Sequence, residues 1–165
     1  MYKRQDRSGI ERSLALRCDF GYSDWMPRQY WLVKQEPTKY PWSQLVKDKK
    51  TYWDGVRNYQ ARNNLQAMKK GDLVLYYHSV VGTEVVGICE VVRESYPDPT
   101  TDDDRWVVVD LAARKALARP VTLAEIKEDP AFADIALIKQ SRLSVMPLSR
   151  AEFDRIVKLG SRKAN

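Results

Sequence analysis

Trp53-Asp54-Gly55-Val56-Arg57-Asn58-Tyr59-Gln60-Ala61-Arg62-Asn63-Asn64 brings an indole, guanidinium groups and several amides into one short run. Asp54-Gly55 is a turn signal. Beyond it, Ala61, Leu65 and Met68 fall at helical spacing, which predicts a helix over Val56–Met68 ended by Gly71-Asp72. Asn58, Asn63 and Asn64 are poor helix formers and therefore a local cost. Flat π surface beside amide, hydroxyl and cationic groups is what recognition of a nucleobase requires.

Working outward, Tyr30-Trp31-Leu32-Val33-Lys34 reads as a strand ended by Pro37. Pro41 can start a short helix through Leu45 and Val46. Leu73–His78 and Val85–Val92 read as strands joined by a turn at Val81-Gly82-Thr83. Residues 97–102 read as a polar loop, Arg105–Leu111 as a strand, and Leu143–Met146 as a last strand candidate. Thr122-Leu-Ala-Glu125 and Ser149-Arg-Ala-Glu152 are capping-box sequences, each opening a helix. Strands outnumber helices and do not alternate with them, which argues against a doubly wound parallel sheet and for a compact mixed barrel plugged by short helices.

The 165 residues suffice for one domain with its own core. Residues 1–28 lack the pattern of the rest, although Leu14-Ala15-Leu16 forms a short apolar patch. They are expected to be an extension outside the fold, with Met26 the natural start of the domain. The domain then covers residues 29–160, and 161–165 form a tail. No apolar run reaches the roughly 20 residues of a membrane span. Cys18 and Cys89 make neither a disulfide framework nor a zinc site, and a reducing, cytoplasmic setting fits (nuclear in a eukaryote). Lys and Arg number 28 against 22 acids. Residues 55–71 and 139–150 carry cations and no acid, as a phosphate-binding surface would.

Enzyme chemistry finds little support. His78 is the single histidine, no Gly-x-Ser-x-Gly elbow exists, and Gly82 and Gly87 stand apart, forming no phosphate cradle. Asp102, Asp103 and Asp104 read as a charged surface turn. No metal and no cofactor is implied.

Tyr30–Pro37, Trp53–Asn63, Tyr77-His-Ser79, Tyr96-Pro-Asp98, Trp106–Asp110 and Arg142–Pro147 together resemble the EVE domain. The resemblance implies an α+β fold, a PUA-like mixed β-barrel with short helices, related to the YTH and ASCH domains. It implies a non-catalytic nucleic-acid-binding module holding a flipped or single-stranded base, a modified cytosine in DNA, in an aromatic pocket. The alternatives are an RNA-binding PUA-like domain and an ASCH-like enzyme acting on RNA. The implied ligand-binding set is Trp31, Lys34, Gln35, Glu36, Pro37, Trp53, Gly55, Val56, Arg57, Asn58, Tyr77, His78, Ser79, Arg142 and Ser144. Within it Trp53 is a stacking wall. Lys34, Arg57 and Arg142 are phosphate or edge contacts, and Asn58 and Ser79 read the base edge. Gln35 stands where the family usually has a serine, which bears on ligand choice. The partner is nucleic acid, with no membrane and no metal, and the pattern assigns no oligomeric state.

Overall fold

The computed structural model describes residues 28–162. The expectations for Leu14–Leu16, Cys18, Met26 and nearly all of the 1–28 extension lie outside these residues.

Six strands form one sheet: β1 (Tyr30–Gln35), β2 (Lys50–Tyr52), β3 (Leu73–His78), β4 (Glu84–Pro97), β5 (Val107–Thr122) and β6 (Val145–Leu148). Their order is β2-β5-β4-β3-β1-β6. β1 and β3 run parallel and every other pair is antiparallel. Trp31, Leu32 and Val33 of β1 are all buried, as are Leu73–Tyr77 of β3. These central strands are covered on both faces, so they read as continuous apolar runs rather than alternating ones. β4 and β5 are far longer than the sequence suggests. Their pairing shifts register at four places, which lets the pair bend. β2, only three residues long, has no counterpart in the sequence reading.

The helices are α1 (Trp42–Asp48), α2 (Tyr59–Ala67), α3 (Leu123–Glu128), a 3-10 turn (Pro130–Phe132), α4 (Ala136–Lys139) and α5 (Arg150–Ser161). α5 therefore takes in the first residue of the expected tail. Ser149 and Glu152 form the full reciprocal capping box, at 3.0 and 2.8 Å. At α3 only half forms: Thr122 Oγ1 accepts from the Glu125 N–H, but the Glu125 carboxylate accepts from Arg119 at 2.7 Å instead. α2 begins three residues later than predicted because Asn58 is its N-cap, accepting from the Ala61 N–H at 3.0 Å.

The sheet is open, with β2 and β6 at opposite edges, so the closed barrel expected from the resemblance is not a hydrogen-bonded one. α2 explains the difference. It packs on β4, β5 and β6 together, so the bent sheet curls around a helix. Asn64 Nδ2 donates to the Val145 carbonyl at 2.7 Å, where a closing strand would otherwise bond. One contiguous core fills the interior, with Leu32, Leu65, Tyr76, Phe132 and Met146 fully buried. Cys89 lies within it as the packed core thiol expected, and burial pushes its pKa up.

Candidate nucleic-acid interface

Because β1 and β3 are parallel, their C-terminal ends finish side by side, with Lys34 opposite Tyr77 and Gln35 opposite His78. The Ser79 N–H donates to the Gln35 carbonyl at 3.0 Å, and the Lys34 N–H donates to the Ser144 carbonyl at 2.9 Å. Three chain segments separated by tens of residues thus meet at one end of the sheet. They open onto a cleft of about 450 Å³ lined by Lys34, Gln35, Glu36, Tyr77, Ser79, Val80, Thr83, Leu123, Leu137, Ser141, Arg142 and Ser144. Seven of the fifteen residues of the implied set are among them. Lys34 Nζ donates to the Ser141 carbonyl at 2.7 Å and lies 5.9 Å from the Tyr77 ring centre. Partial burial lowers the Lys34 pKa, because desolvation disfavours the ammonium form.

A second cleft, of about 370 Å³, shares Gln35 and is lined also by Lys39, Tyr40, Thr51, Tyr52, Trp53, Asp54 and Gly55. Trp53 is only 4% exposed and packs edge-on against Tyr76, with ring centres 5.5 Å apart. Its indole is mostly core, and only a sliver of it faces the cleft. Gly55 has φ of 77°, a left-handed conformation that a side chain would strain.

The remaining six members of the set line neither cleft. Trp31 donates from Nε1 to the buried Asp72 at 3.0 Å, near the opposite end of β1. Pro37 sits in a turn that closes through bonds from the Lys39 and Tyr40 N–H groups to the Glu36 carbonyl. Val56 is buried in the core. Arg57 donates to Asp98 at 3.0 Å and lies 5.5 Å over the Trp106 ring. Asn58 spends its side-chain oxygen on the α2 cap. His78 accepts the Trp42 N–H on Nε2 at 3.1 Å, which fixes the start of α1 and puts the ring proton on Nδ1. Burial lowers its pKa, partly opposed by Glu84, in keeping with an imidazole that must stay neutral to accept.

The structure also adds residues that sequence reasoning passed over. Ser141 contributes a main-chain carbonyl, for which no side-chain signal exists. Val80 and Thr83 reach the cleft from the turn between β3 and β4, of which the sequence marks only the turn chemistry. Tyr59 and Trp106 stack at 5.2 Å, with Arg62 over Tyr59 and Arg105 donating to the Tyr59 hydroxyl. Among the described residues no three His, Cys, Asp or Glu side chains converge as metal ligands would. No helix there is long and apolar enough to cross a membrane.

The larger cleft offers one ammonium, one guanidinium, one carboxylate, a side-chain amide and five hydroxyls, with the Tyr77 ring, Leu123 and Leu137 as apolar surface. Such a mixture suits a flat ligand with a polar edge and an anionic flank. Comparison with known proteins agrees with the fold. Human thymocyte nuclear protein 1 is 33% identical over 164 residues, covering 79% of this chain and 73% of that protein. A crystal structure of human THYN1 in complex with 5-methylcytosine-containing DNA superposes with a TM-score of 0.76 at 32% identity, covering 82% of this chain and 99% of that one. Rpa0253 from Rhodopseudomonas palustris, solved by NMR, reaches 0.77 at 48% identity over 80% of this chain and 92% of its own. The YTH domain of Zygosaccharomyces rouxii MRB1, solved with N6-methyladenosine RNA, has a TM-score of 0.53 at 15% identity, covering 86% of this chain and 95% of its own, which shows a shared fold alone. The sequence model of one family matches residues 29–159, nearly all of the described chain, and by that match the protein belongs to the EVE domain family.

Proposed function

We propose that the chain is a non-catalytic nucleic-acid-binding module that takes one flipped or unpaired base, a modified cytosine in DNA, into the cleft at the ends of β1 and β3. The observation that carries this reading is the convergence there of Lys34, Gln35, Ser79, Arg142 and Ser144. Support comes from the likeness, along most of the chain, to a human protein solved with 5-methylcytosine DNA. Tyr77, Leu123 and Leu137 give the base apolar surface, while Gln35, Ser79 and Ser144 give its edge donors and acceptors. Lys34 and Arg142 supply charge for the flanking phosphates. The PUA-like barrel belongs to the same proposal, as a curled sheet whose gap α2 fills.

Titration of labelled single strands carrying cytosine, 5-methylcytosine or 5-hydroxymethylcytosine tests it, with RNA of the same sequence as competitor. A modified strand should bind more tightly than the plain one and be displaced poorly by RNA. Arg142→Ala should weaken every strand alike and flatten the salt dependence by about 0.7 in log K against log salt, the contribution of one phosphate contact on a single strand. Ser79→Ala should erode the preference instead. All strands should be recovered uncut. Equal affinity for all three DNA strands overturns the reading.

A further inference from the structure

The five residues between β3 and β4, Ser79–Thr83, carry an apolar tip that the fold does not use. Val80 is 74% exposed and Val81 57% exposed, the most exposed large hydrophobic side chains among the described residues. Val80 has φ of 69° and the Val81 N–H donates to the Ser79 carbonyl at 2.7 Å, so the chain turns in three residues. A β-branched residue at positive φ is a genuine conformational outlier, where glycine or asparagine sits more easily. Gly82 follows at 83°, which glycine adopts without strain, and Thr83 at 23° is again a β-branched residue at positive φ.

Both bases of the turn are fixed. The Ser79 N–H holds the Gln35 carbonyl at 3.0 Å, and the Thr83 carbonyl accepts the Leu123 N–H at 2.9 Å. The turn therefore holds two aliphatic side chains away from the core on a rigid stem, and neither gains burial from doing so. Val80 also lines the cleft, together with Ser79 and Thr83 from the same turn. The exposed tip is continuous with the rim of the pocket.

On duplex DNA, a base can reach such a pocket only by leaving the stack, at a cost of a few kcal/mol. Apolar side chains that enter a base step offset that cost by filling the space and holding neighbouring pairs apart. We propose that Val80 and Val81 form a wedge that enters the duplex beside the pocket and occupies the place of the extruded base. The occupant of this apolar tip is thus double-stranded DNA, and the proposal rests on the reading of the cleft as a base pocket. The cations that flank the cleft, Lys34 and Arg142, would bring the backbone to the same rim.

The test uses the full chain with Val81→Ser, at the tip residue that does not line the cleft. Val81 is exposed and stands outside the core, so the melting temperature should hold, and Val81→Gly serves as a second variant. Each protein is titrated with the same 5-methylcytosine strand in three forms: single, fully paired, and paired with a mismatch opposite the modified base. Both variants should bind the single strand within about twofold of the parent and the full duplex at least about tenfold more weakly, with the mismatched duplex between. A 2-aminopurine beside the modified base should brighten when the parent binds duplex and stay dim with the variants. Variants that bind full duplex as well as the parent does, or that lose single strand and duplex equally, overturn the wedge. A parent with no preference for the methylated single strand overturns the pocket reading instead.

Discussion

At the scale of single residues, Asp98 governs the segment on which the sequence reading leaned most. Its side chain is fully buried. It accepts from the Thr100 N–H at 2.8 Å, from the Thr100 hydroxyl, from Arg57 at 3.0 Å and from the Gly55 N–H at 3.5 Å. Burial pushes the carboxyl pKa up, but these donors more than offset it and the net shift is downward. Arg57 is thus held by a desolvated anion, and releasing it to a phosphate would leave that anion short of a partner. Asp98→Asn should lower stability by about 1–3 kcal/mol, read as a drop in denaturant midpoint at neutral pH. Because the folded carboxyl holds its proton less tightly than the unfolded one, the contribution is whole above the unfolded value of about 3.9. It disappears as pH falls from there through the depressed folded value. Parent and variant should therefore converge in melting temperature under acid.

At the scale of elements, α2 shows why three asparagines stand in a helical stretch. Asn58 caps it, Asn64 ties it to the β6 edge, and Asn63 accepts from the Arg62 guanidinium at 2.9 Å. Asn58→Ala should cost about 1 kcal/mol, measured by chemical denaturation, and should leave affinity for a methylated strand unchanged. That second result separates a structural cap from a base reader. The long apolar runs of β1 and β3 were legible because burial on both faces leaves an unbroken signal. β2 was not, since Lys50-Thr51-Tyr52 has no pattern of its own and is a strand only through its bonds to β5. The meeting of Gln35, Ser79 and Ser144 was legible only through resemblance, because the pairing of β1 with β3 on one side and β6 on the other, not spacing, brings them together. The tryptophans misled for a physical reason: an indole serves equally well as packing. Trp42 lies so close over Gly87 that a Cβ there would collide with its ring.

At the scale of the whole molecule, net charge of +6 is small and partly local. Arg57, Arg105, Arg114 and Arg119 are each paired with a carboxylate. On the proposed reading, attraction for nucleic acid comes from a few cations beside the cleft rather than from a uniformly positive surface. The uncurled edges of the sheet carry a different consequence. The Lys34–Ser144 bond sets the alternation along β6, so that Val145 and Pro147 present their main-chain groups outward. The Val145 carbonyl is occupied by Asn64, and Pro147 has no N–H to offer. The opposite rim, β2, is three residues long and begins with a lysine. Neither rim is a template for a foreign strand. Asn64→Ala combined with Pro147→Thr should expose one, raising the mass seen by sedimentation velocity with concentration beyond the parent's. The helix that completes the fold also guards it, so an open sheet in this protein need not be a sticky one.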